Sequence, residues 1–242
     1  MLTLLTASHR NPSGLKTLYE QVRSGLGPDL QWIIQDSGVC DASRHWGECL
    51  VEPYVKFVAE PDSGIYDALN RALSRIQTPF YLVVGSDDSL DIDALQAIVA
   101  YLRSPAASQP DVITFPVRMG DSIRKRQPLW PSQFNVLQIT SSHSVGTIIR
   151  SDLHDAHGPY DTRYQILADS LFLRRVQLAG GTFEHRDHPI PGRFSTNGVS
   201  RTNYGRLMLE NYSYNVECGS SRVLQSIMLL VRLLAYRPRS LI

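Results

Sequence analysis

The chain has few cysteines and no spacing that would use them. Cys40, Cys49 and Cys218 are the three in 242 residues. None belongs to a C-x-x-C pair, which argues against a disulfide framework and a zinc knuckle and suits a reducing, cytoplasmic setting. A long apolar run is also missing: no stretch reaches the ~18 residues that a bilayer span requires. The opening "MLTLLTASHRNPSG" has no basic region before its apolar run and breaks at Ser8-His9-Arg10, so it reads as a strand and not as a signal peptide. Charge of one sign is absent. Lys+Arg number 24 against 23 Asp+Glu, a formal net charge of +1, without the basic footprint of a dedicated nucleic-acid binder. Neither G-x-G-x-x-G nor a P-loop occurs, which argues against a dinucleotide oxidoreductase and an ATPase.

What is present is enough apolar residue, 43% of the chain against 19% charged, to bury a sizeable core in one large domain or one domain with a small appendage. "LTLLT", "LQWIIQD", "YVKFVAE" and "FYLVVG" read as strands. "GLKTLYEQVRSGL" carries Leu15, Leu18, Tyr19 and Val22 at helical spacing. "SGIYDALNRALSRI" puts Ile65, Ala68, Leu69, Ala72 and Ile76 on one face, with Ser63 as the expected cap, and "DIDALQAIVAYLRS" is a further helix before Pro105. This rhythm predicts an α/β domain with a mostly parallel sheet. Farther on, "DVITFPV" and "VGTIIR" read as strands, "IRKRQPLWPSQFN" as a basic and aromatic loop, and "ILADSLFLRRVQLAG" as a helix closed by Gly180-Gly181.

Parallel α/β sheets bind ligands at the carboxyl ends of their strands. Three acidic features fall at such ends: Asp36 after "LQWIIQ", Asp62 after "YVKFVAEP", and the adjacent Asp87 and Asp88 after "FYLVVGS". One acid there is commonplace, and Ser86-Asp87-Asp88-Ser89 also reads as a turn capping the helix that begins near Asp91. Acids from three strands on one edge point instead to a divalent cation, because hard Mg²⁺ or Mn²⁺ prefers carboxylate oxygen and bridges to phosphates.

The segment "EPDSGIYDALNRAL" followed by "FYLVVGSDDSL" resembles the signature of family-2 glycosyltransferases with the GT-A fold. Asp62, Gly64, Ile65, Tyr66, Asp67, Ala68, Leu69 and Asn70 fill the D-x-G-(I/V)-Y-D-A-(M/L)-N pattern, and Ser86, Asp87 and Asp88 the S-D-D pattern. "IIQDSGVCDAS" is similar to the family's acidic loop, with Asp36 and Asp41 in the acidic places and Cys40 where a small hydroxyl residue is usual. The resemblance runs over residues 1 to about 200. It implies that Thr6, Ala7, Ser8 and Asp36 hold the nucleotide base, and that Asp62, Gly64, Asp67 and Asn70 belong to the segment around the donor sugar and diphosphate. Ser86 and Asp87 then face the ribose or sugar, and Asp88 binds Mn²⁺ or Mg²⁺. A leaving diphosphate needs its growing charge neutralised, which is what that ion would supply.

Inversion at the anomeric carbon also needs a base for the acceptor hydroxyl. "HGPYDTRYQILADSLFLRRV" resembles the family's G-x-(F/Y)-D-E region, with Gly158, Tyr160 and Asp161 leading and Asp169 in the base position, although Ala168 stands where relatives often carry a second acid. Asp169 also suits a helix N-terminus. His143, before "VGTIIR", resembles a histidine on the family's acceptor side, and His188 could line the same site. "FSTNGVS" is similar to the family's closing loop, with Phe194, Gly198, Val199 and Ser200 in place and Asn197 for the first glycine. No Q-x-x-R-W motif occurs, unlike in processive synthases.

These readings predict a GT-A domain over 1–200 and a C-terminal helical extension over 201–242. In that extension Val223, Leu224, Ile227, Met228, Val231 and Leu234 form a stripe among Arg222, Arg232, Arg237 and Arg239. The stripe fits packing on the domain, or a peripheral contact with the inner face of the cell membrane. The expected activity is metal-dependent, inverting transfer of one sugar from a nucleotide-diphosphate sugar, UDP favoured by family habit, to a saccharide or lipid-linked acceptor in surface polysaccharide assembly. The rival readings are a sugar-1-phosphate nucleotidyltransferase, of which "TASHRNPSGLK" is only faintly suggestive, and a non-catalytic nucleotide-sugar-binding protein.

Overall fold

A computed structural model describes residues 1–104, 110–124, 143–195 and 203–235. Most of the basic loop after Arg124, the closing-loop residues Asn197–Ser200, and Arg237 and Arg239 lie outside the described residues.

The chain runs β1 (Leu2–Ser8), α1 (Pro12–Val22), β2 (Leu30–Asp36), α2 (Asp41–Glu48), β3 (Val55–Ala59), α3 (Ile65–Leu73) and β4 (Phe80–Val83). It continues through β5 (Ser89–Leu90), α4 (Ile92–Arg103), β6 (Val112–Thr114), β7 (Val117–Met119), β8 (Ser122–Arg124) and β9 (Thr147–Arg150). Then follow α5 (Leu153–His157), α6 (Ala168–Leu178), β10 (Phe183–His185), β11 (Gly192–Arg193), α7 (Tyr204–Glu217) and α8 (Arg222–Ala235).

Seven strands form one sheet in the order β10-β6-β9-β4-β1-β2-β3. β9 runs antiparallel to both of its neighbours, and the other pairs are parallel. This is the mostly parallel α/β sheet expected from the sequence. β2 and β3 lie on one side of β1 and β4 on the other, so the direction of winding reverses at the β1–β4 pair, the switch point at whose carboxyl ends open α/β sheets form their ligand crevice. A second sheet, β5-β11-β7-β8, stands beyond the end of β4.

Alternation along β1 and β2 divides the core. Leu2, Leu4, Trp32 and Ile34 face one layer with Leu15 and Leu18 of α1 and Leu95 and Ile98 of α4. Leu5, Ile33 and Tyr81 face the other, with Tyr66 and Leu69 of α3, Leu171 and Phe172 of α6 and Tyr214 of α7. Each such side chain contributes about 1.5–3 kcal/mol of burial. Both faces are covered, which is why the central strands read as nearly unbroken apolar runs.

Four local expectations are corrected. "DVITFPV" is two strands in two sheets, because Pro116 has no amide for a ladder and the chain turns there, with the Phe115 amide bonded to the Gly146 carbonyl at 2.7 Å. Ser63 does not cap α3: Gly64 holds the cap position, and Ser63 donates its amide and hydroxyl to Asp67. Ile65 is exposed, and Tyr66 takes the buried place expected of it. The polar helix α2 was not anticipated. The expected glycine stop of α6 is present as a Schellman turn, with Gly180 at φ +87° and the Gly181 amide bonded to the Val176 carbonyl at 2.9 Å.

Among the described residues no helix is long and apolar enough to cross a membrane.

Candidate active site

At the ends of β1 and β2, Ser8 and Asp36 are register partners and both are buried. Asp36 Oδ1 accepts the Gly38 amide at 2.9 Å. Its Oδ2 and the Ser8 Oγ are buried without a hydrogen-bond partner. Unsatisfied buried polar atoms of this kind cost ~1–3 kcal/mol each, and two at one strand edge are partners that the polar groups of a ligand can supply. Ala7 precedes Ser8 on β1, half-buried, with Gln35 as its register partner. Thr6 points elsewhere: its hydroxyl accepts the Trp32 indole N–H at 3.0 Å inside the core.

The S-D-D turn answers a second question. Asp91, not this turn, caps α4, its Oδ1 accepting the Ala94 amide at 3.1 Å. Asp87 is exposed, while Asp88 is buried. Asp88 Oδ2 accepts the Gly85 amide at 2.8 Å and Oδ1 the Ser195 amide at 2.9 Å. Burial pushes its carboxyl up to about 6, the two amides offsetting part of that and the neighbouring Asp87 adding to it. A residue that sequence reading missed holds this turn in place. Asn11 caps α1 through Oδ1 to the Gly14 amide, and its Nδ2 donates to the Ser86 carbonyl and hydroxyl at 3.1 and 3.0 Å. Its only sequence signal is an Asn before Pro at a helix start.

The donor set fits a hard divalent cation. Each Asp88 oxygen spends one lone pair on an amide and keeps another. A Cβ on Gly85 would lie 2.8 Å from Asp87 Oδ1 and 2.9 Å from Asp88 Oδ2, so the glycine leaves the space the two carboxylates use. Among the described residues no cluster of three or more His, Cys, Asp or Glu could hold a metal. Mn²⁺ or Mg²⁺ here would therefore take its remaining ligands from phosphates and water, as Mg²⁺ commonly does.

The D-x-G loop enters α3. Asp62 Oδ1 accepts the Gly64 amide at 2.9 Å, and Gly64 has φ +130°, a conformation open essentially to glycine alone. Asp67 accepts from Ser63 and pairs with Arg71 at 3.2 Å, interactions that hold its carboxyl below the usual range. Asn70 grips the backbone of Tyr160: its Nδ2 donates to the Tyr160 carbonyl at 2.8 Å and its Oδ1 accepts the Tyr160 amide at 2.9 Å. Both ends of its amide are thus used in joining α3 to the loop before α6.

Asp169 sits in the first turn of α6, whose cap position is Leu167. Its Oδ1 accepts the Ser170 amide at 2.7 Å and the Tyr66 hydroxyl at 3.0 Å, and burial raises its carboxyl above the ordinary value. Behind Tyr66 stands a packed network. Tyr66 and Tyr160 lie 5.5 Å apart between centroids, and the Tyr160 and Tyr81 hydroxyls are 2.8 Å apart. The His154 Nδ1 meets the Gly158 carbonyl at 3.0 Å, which makes Nδ1 the donor and leaves Nε2 to accept from Tyr81 at 2.7 Å.

His143 stacks on Phe194 at 3.5 Å between centroids, and burial lowers it to about 4, so it is neutral. Phe194 precedes Ser195, whose amide holds Asp88. His143 is thereby joined to the Asp88 turn. His188 is exposed between β10 and β11 and enters none of these contacts.

This crevice belongs to a GT-A fold. Solved neighbours include S. aureus TarS 1-349 in complex with UDP, at TM-score 0.63 and 14% identity over 99% of this chain and 73% of that one. Another is the mannosyltransferase PcManGT from Pyrobaculum calidifontis in complex with GDP-Man and Mn²⁺, at TM-score 0.66 and 14% identity over 96% and 68%. Identity this low carries the fold alone. Residues 3–174 match the family model described as glycosyl transferase family 2, and the chain belongs to that family. Curated relatives named PGL/p-HBAD biosynthesis glycosyltransferase, from Mycobacterium bovis and Mycobacterium tuberculosis, are 29% identical over 115 residues. That match spans 46% of this chain and 42% of theirs, less than half the length of either.

Proposed function

We propose that the protein transfers a single sugar, with inversion, from a nucleotide-diphosphate sugar to a hydroxyl of a saccharide or lipid-linked acceptor. The observation that carries this reading is the pair of buried, unpartnered atoms Asp36 Oδ2 and Ser8 Oγ at the switch point of the sheet. A nucleobase N–H satisfies the carboxylate, and a base carbonyl or N–H the hydroxyl. The complexes of TarS with UDP and of PcManGT with GDP-Man and Mn²⁺ support a nucleotide donor and a divalent ion.

The diphosphate then lies towards the end of β4. Mn²⁺ or Mg²⁺ bound there would neutralise the charge that develops on the departing diphosphate. Asp88 holds the metal corner, Asp87 faces the ribose or sugar, and Asp62 and Gly64 border the donor from the start of α3. Asp169 takes the acceptor proton. Oδ1 is engaged with Tyr66 and Ser170, which supports giving Oδ2 the acceptor hydroxyl. The proton moves from that hydroxyl to the carboxylate as the new glycosidic bond forms at the anomeric carbon and the bond to the diphosphate breaks. His143 and Phe194 border the acceptor side.

The exposed stripe of α8, which includes Val223, Ile227, Leu230, Val231 and Leu234, supports a peripheral contact with a membrane that carries a lipid-linked acceptor. The test of the activity is a panel of nucleotide-sugars incubated with Mn²⁺ and a range of acceptors. Turnover of one donor supports transfer. Binding without turnover of any donor favours the non-catalytic alternative.

A further inference from the structure

Glu210 is a buried carboxylate on α7, beyond the family-matched segment 3–174, and the site described so far does not use it. Its two oxygens accept three consecutive backbone amides: Gln165 at 2.8 Å to Oε1, Ile166 at 2.9 Å and Leu167 at 3.0 Å to Oε2. These are the residues that lead into α6. The cap residue Leu167 makes no side-chain cap bond, so a side chain from another helix supplies the anionic partner that the start of α6 requires. Three charge-assisted bonds to successive amides fix the orientation of the peptide planes between them.

The consequence reaches Asp169 through one carbonyl. The Tyr66 hydroxyl has a single proton and two acceptors within reach, the Ile166 carbonyl at 2.7 Å and Asp169 Oδ1 at 3.0 Å. With Asp169 ionised, the hydroxyl is shared between them. With Asp169 protonated at Oδ2, Oδ1 becomes a weaker acceptor and the hydroxyl donates chiefly to Ile166, so the carbonyl keeps the Tyr66 proton satisfied without any group moving. Where that carbonyl points depends on the peptide that Glu210 holds.

We propose that Glu210 is a positioning residue for Asp169. Its grip on the amides of Gln165, Ile166 and Leu167 aims the Ile166 carbonyl, and the Tyr66 hydroxyl carries that aim to the carboxylate. This rests on the reading of Asp169 as the base. The titratable groups that sense Asp169 are Tyr66 from α3, Tyr81 from β4, Tyr160 from the loop before α6 and Tyr214 from α7. All four are neutral phenols raised first of all by burial. Tyr66 is the one hydrogen-bonded to Asp169.

The experiment uses the full chain and a readout independent of turnover, the titration of the Asp169 carboxyl followed by carbon NMR. Glu210→Gln keeps the shape but puts an NH₂ against an amide. A neutral oxygen holds the Ile166 and Leu167 amides more weakly than the carboxylate does, the Ile166 carbonyl is aimed less firmly, Tyr66 donates more to Asp169, and the midpoint falls by about half a pH unit or more. Tyr66→Phe raises the midpoint, and adding Glu210→Gln to that variant moves it no further. An unchanged midpoint in folded Glu210→Gln overturns the proposal, and so does an equal shift with and without Tyr66. Should Glu210→Gln fail to fold, Leu167→Pro tests the same link, because it removes the amide of the peptide that carries the Ile166 carbonyl while leaving Glu210 in place; an unmoved midpoint there also overturns it. With an active donor, Glu210→Gln lowers kcat about tenfold at unchanged donor affinity, as a misaligned base would. Full activity in Asp169→Asn would instead remove the base reading, an outcome that the NMR titration does not depend on.

Discussion

Tyr66 and Asp169 lie 103 residues apart in the chain and meet in a hydrogen bond of 3.0 Å. The first belongs to the helix that follows the D-x-G loop, the second to the helix expected to serve the acceptor. Their contact, together with the grip of Asn70 on Tyr160, makes α3 the bridge between the two halves of the crevice. The D-x-G side and the Asp169 side are built as one packed unit, and if they serve donor and acceptor as proposed, their chemistry should separate cleanly under mutation.

Asp169→Asn is the first such separation. The amide keeps the size and the bond from Tyr66 but cannot take a proton. Nucleotide affinity stays at the wild-type value, measured by calorimetry, while transfer falls by ~100-fold or more, the usual scale of a lost general base.

Asn70→Ala tests the bridge itself. It leaves the amide and carbonyl of Tyr160 without their partners at 2.9 and 2.8 Å. Stability in urea should fall by about 2–4 kcal/mol, the cost of two unsatisfied groups in a largely closed site. A loss no larger than that of an exposed substitution would show that the clamp contributes little.

Gly85→Ala places a methyl 2.8 and 2.9 Å from the carboxylates of Asp87 and Asp88. Those side-chain ends must shift, whereas the backbone need not. Thermal stability should change by no more than about 1 kcal/mol. Affinity for nucleoside diphosphate with Mn²⁺ should drop about tenfold, the equivalent of ~1.4 kcal/mol. Retained affinity would mean the carboxylates do not have to stand where they are.

His143 provides the pH dependence. Its folded-state pKa, pushed down by burial to about 4, lies below the ordinary 6.5. The unfolded chain therefore binds the proton more readily between those values. The stability that goes with the neutral ring is complete above pH 6.5 and is lost as pH falls towards 4. His143→Gln should remove that slope, on the order of 1–3 kcal/mol, in denaturation curves recorded across the window. Parallel curves for the two proteins would assign the acid loss to other groups.

Much of this was legible in the residues because strong periodicity and turn chemistry act locally. The β1, β2 and β4 runs are apolar on both faces, and Gly180-Gly181 ends α6 as its composition dictates. The acids at strand ends were readable for the same reason: a parallel sheet directs whatever follows its strands to one edge. What could not be read depends on partners far away in the chain. α2 is eight residues, mostly polar, with Trp46 as its apolar anchor, too short for a helical period to emerge. Glu210 looks like any surface acid on a helix until the loop at Gln165–Leu167 folds against it. Asn11 and Asn70 act on the backbone of Ser86 and Tyr160, and no local pattern announces such bonds. Tyr66 lay inside a motif already quoted, yet its role is visible only when Asp169 stands beside it.

The most direct test concerns the buried acid at the end of β4. Nucleoside diphosphate is titrated into wild type and Asp88→Ala by calorimetry, with Mn²⁺ and with chelator. Wild type should bind tightly only when the ion is present, and the variant should lose that ion-dependent component. If both proteins show the same affinity and the same response to Mn²⁺, Asp88 holds no cation and the proposed route for the departing diphosphate is wrong.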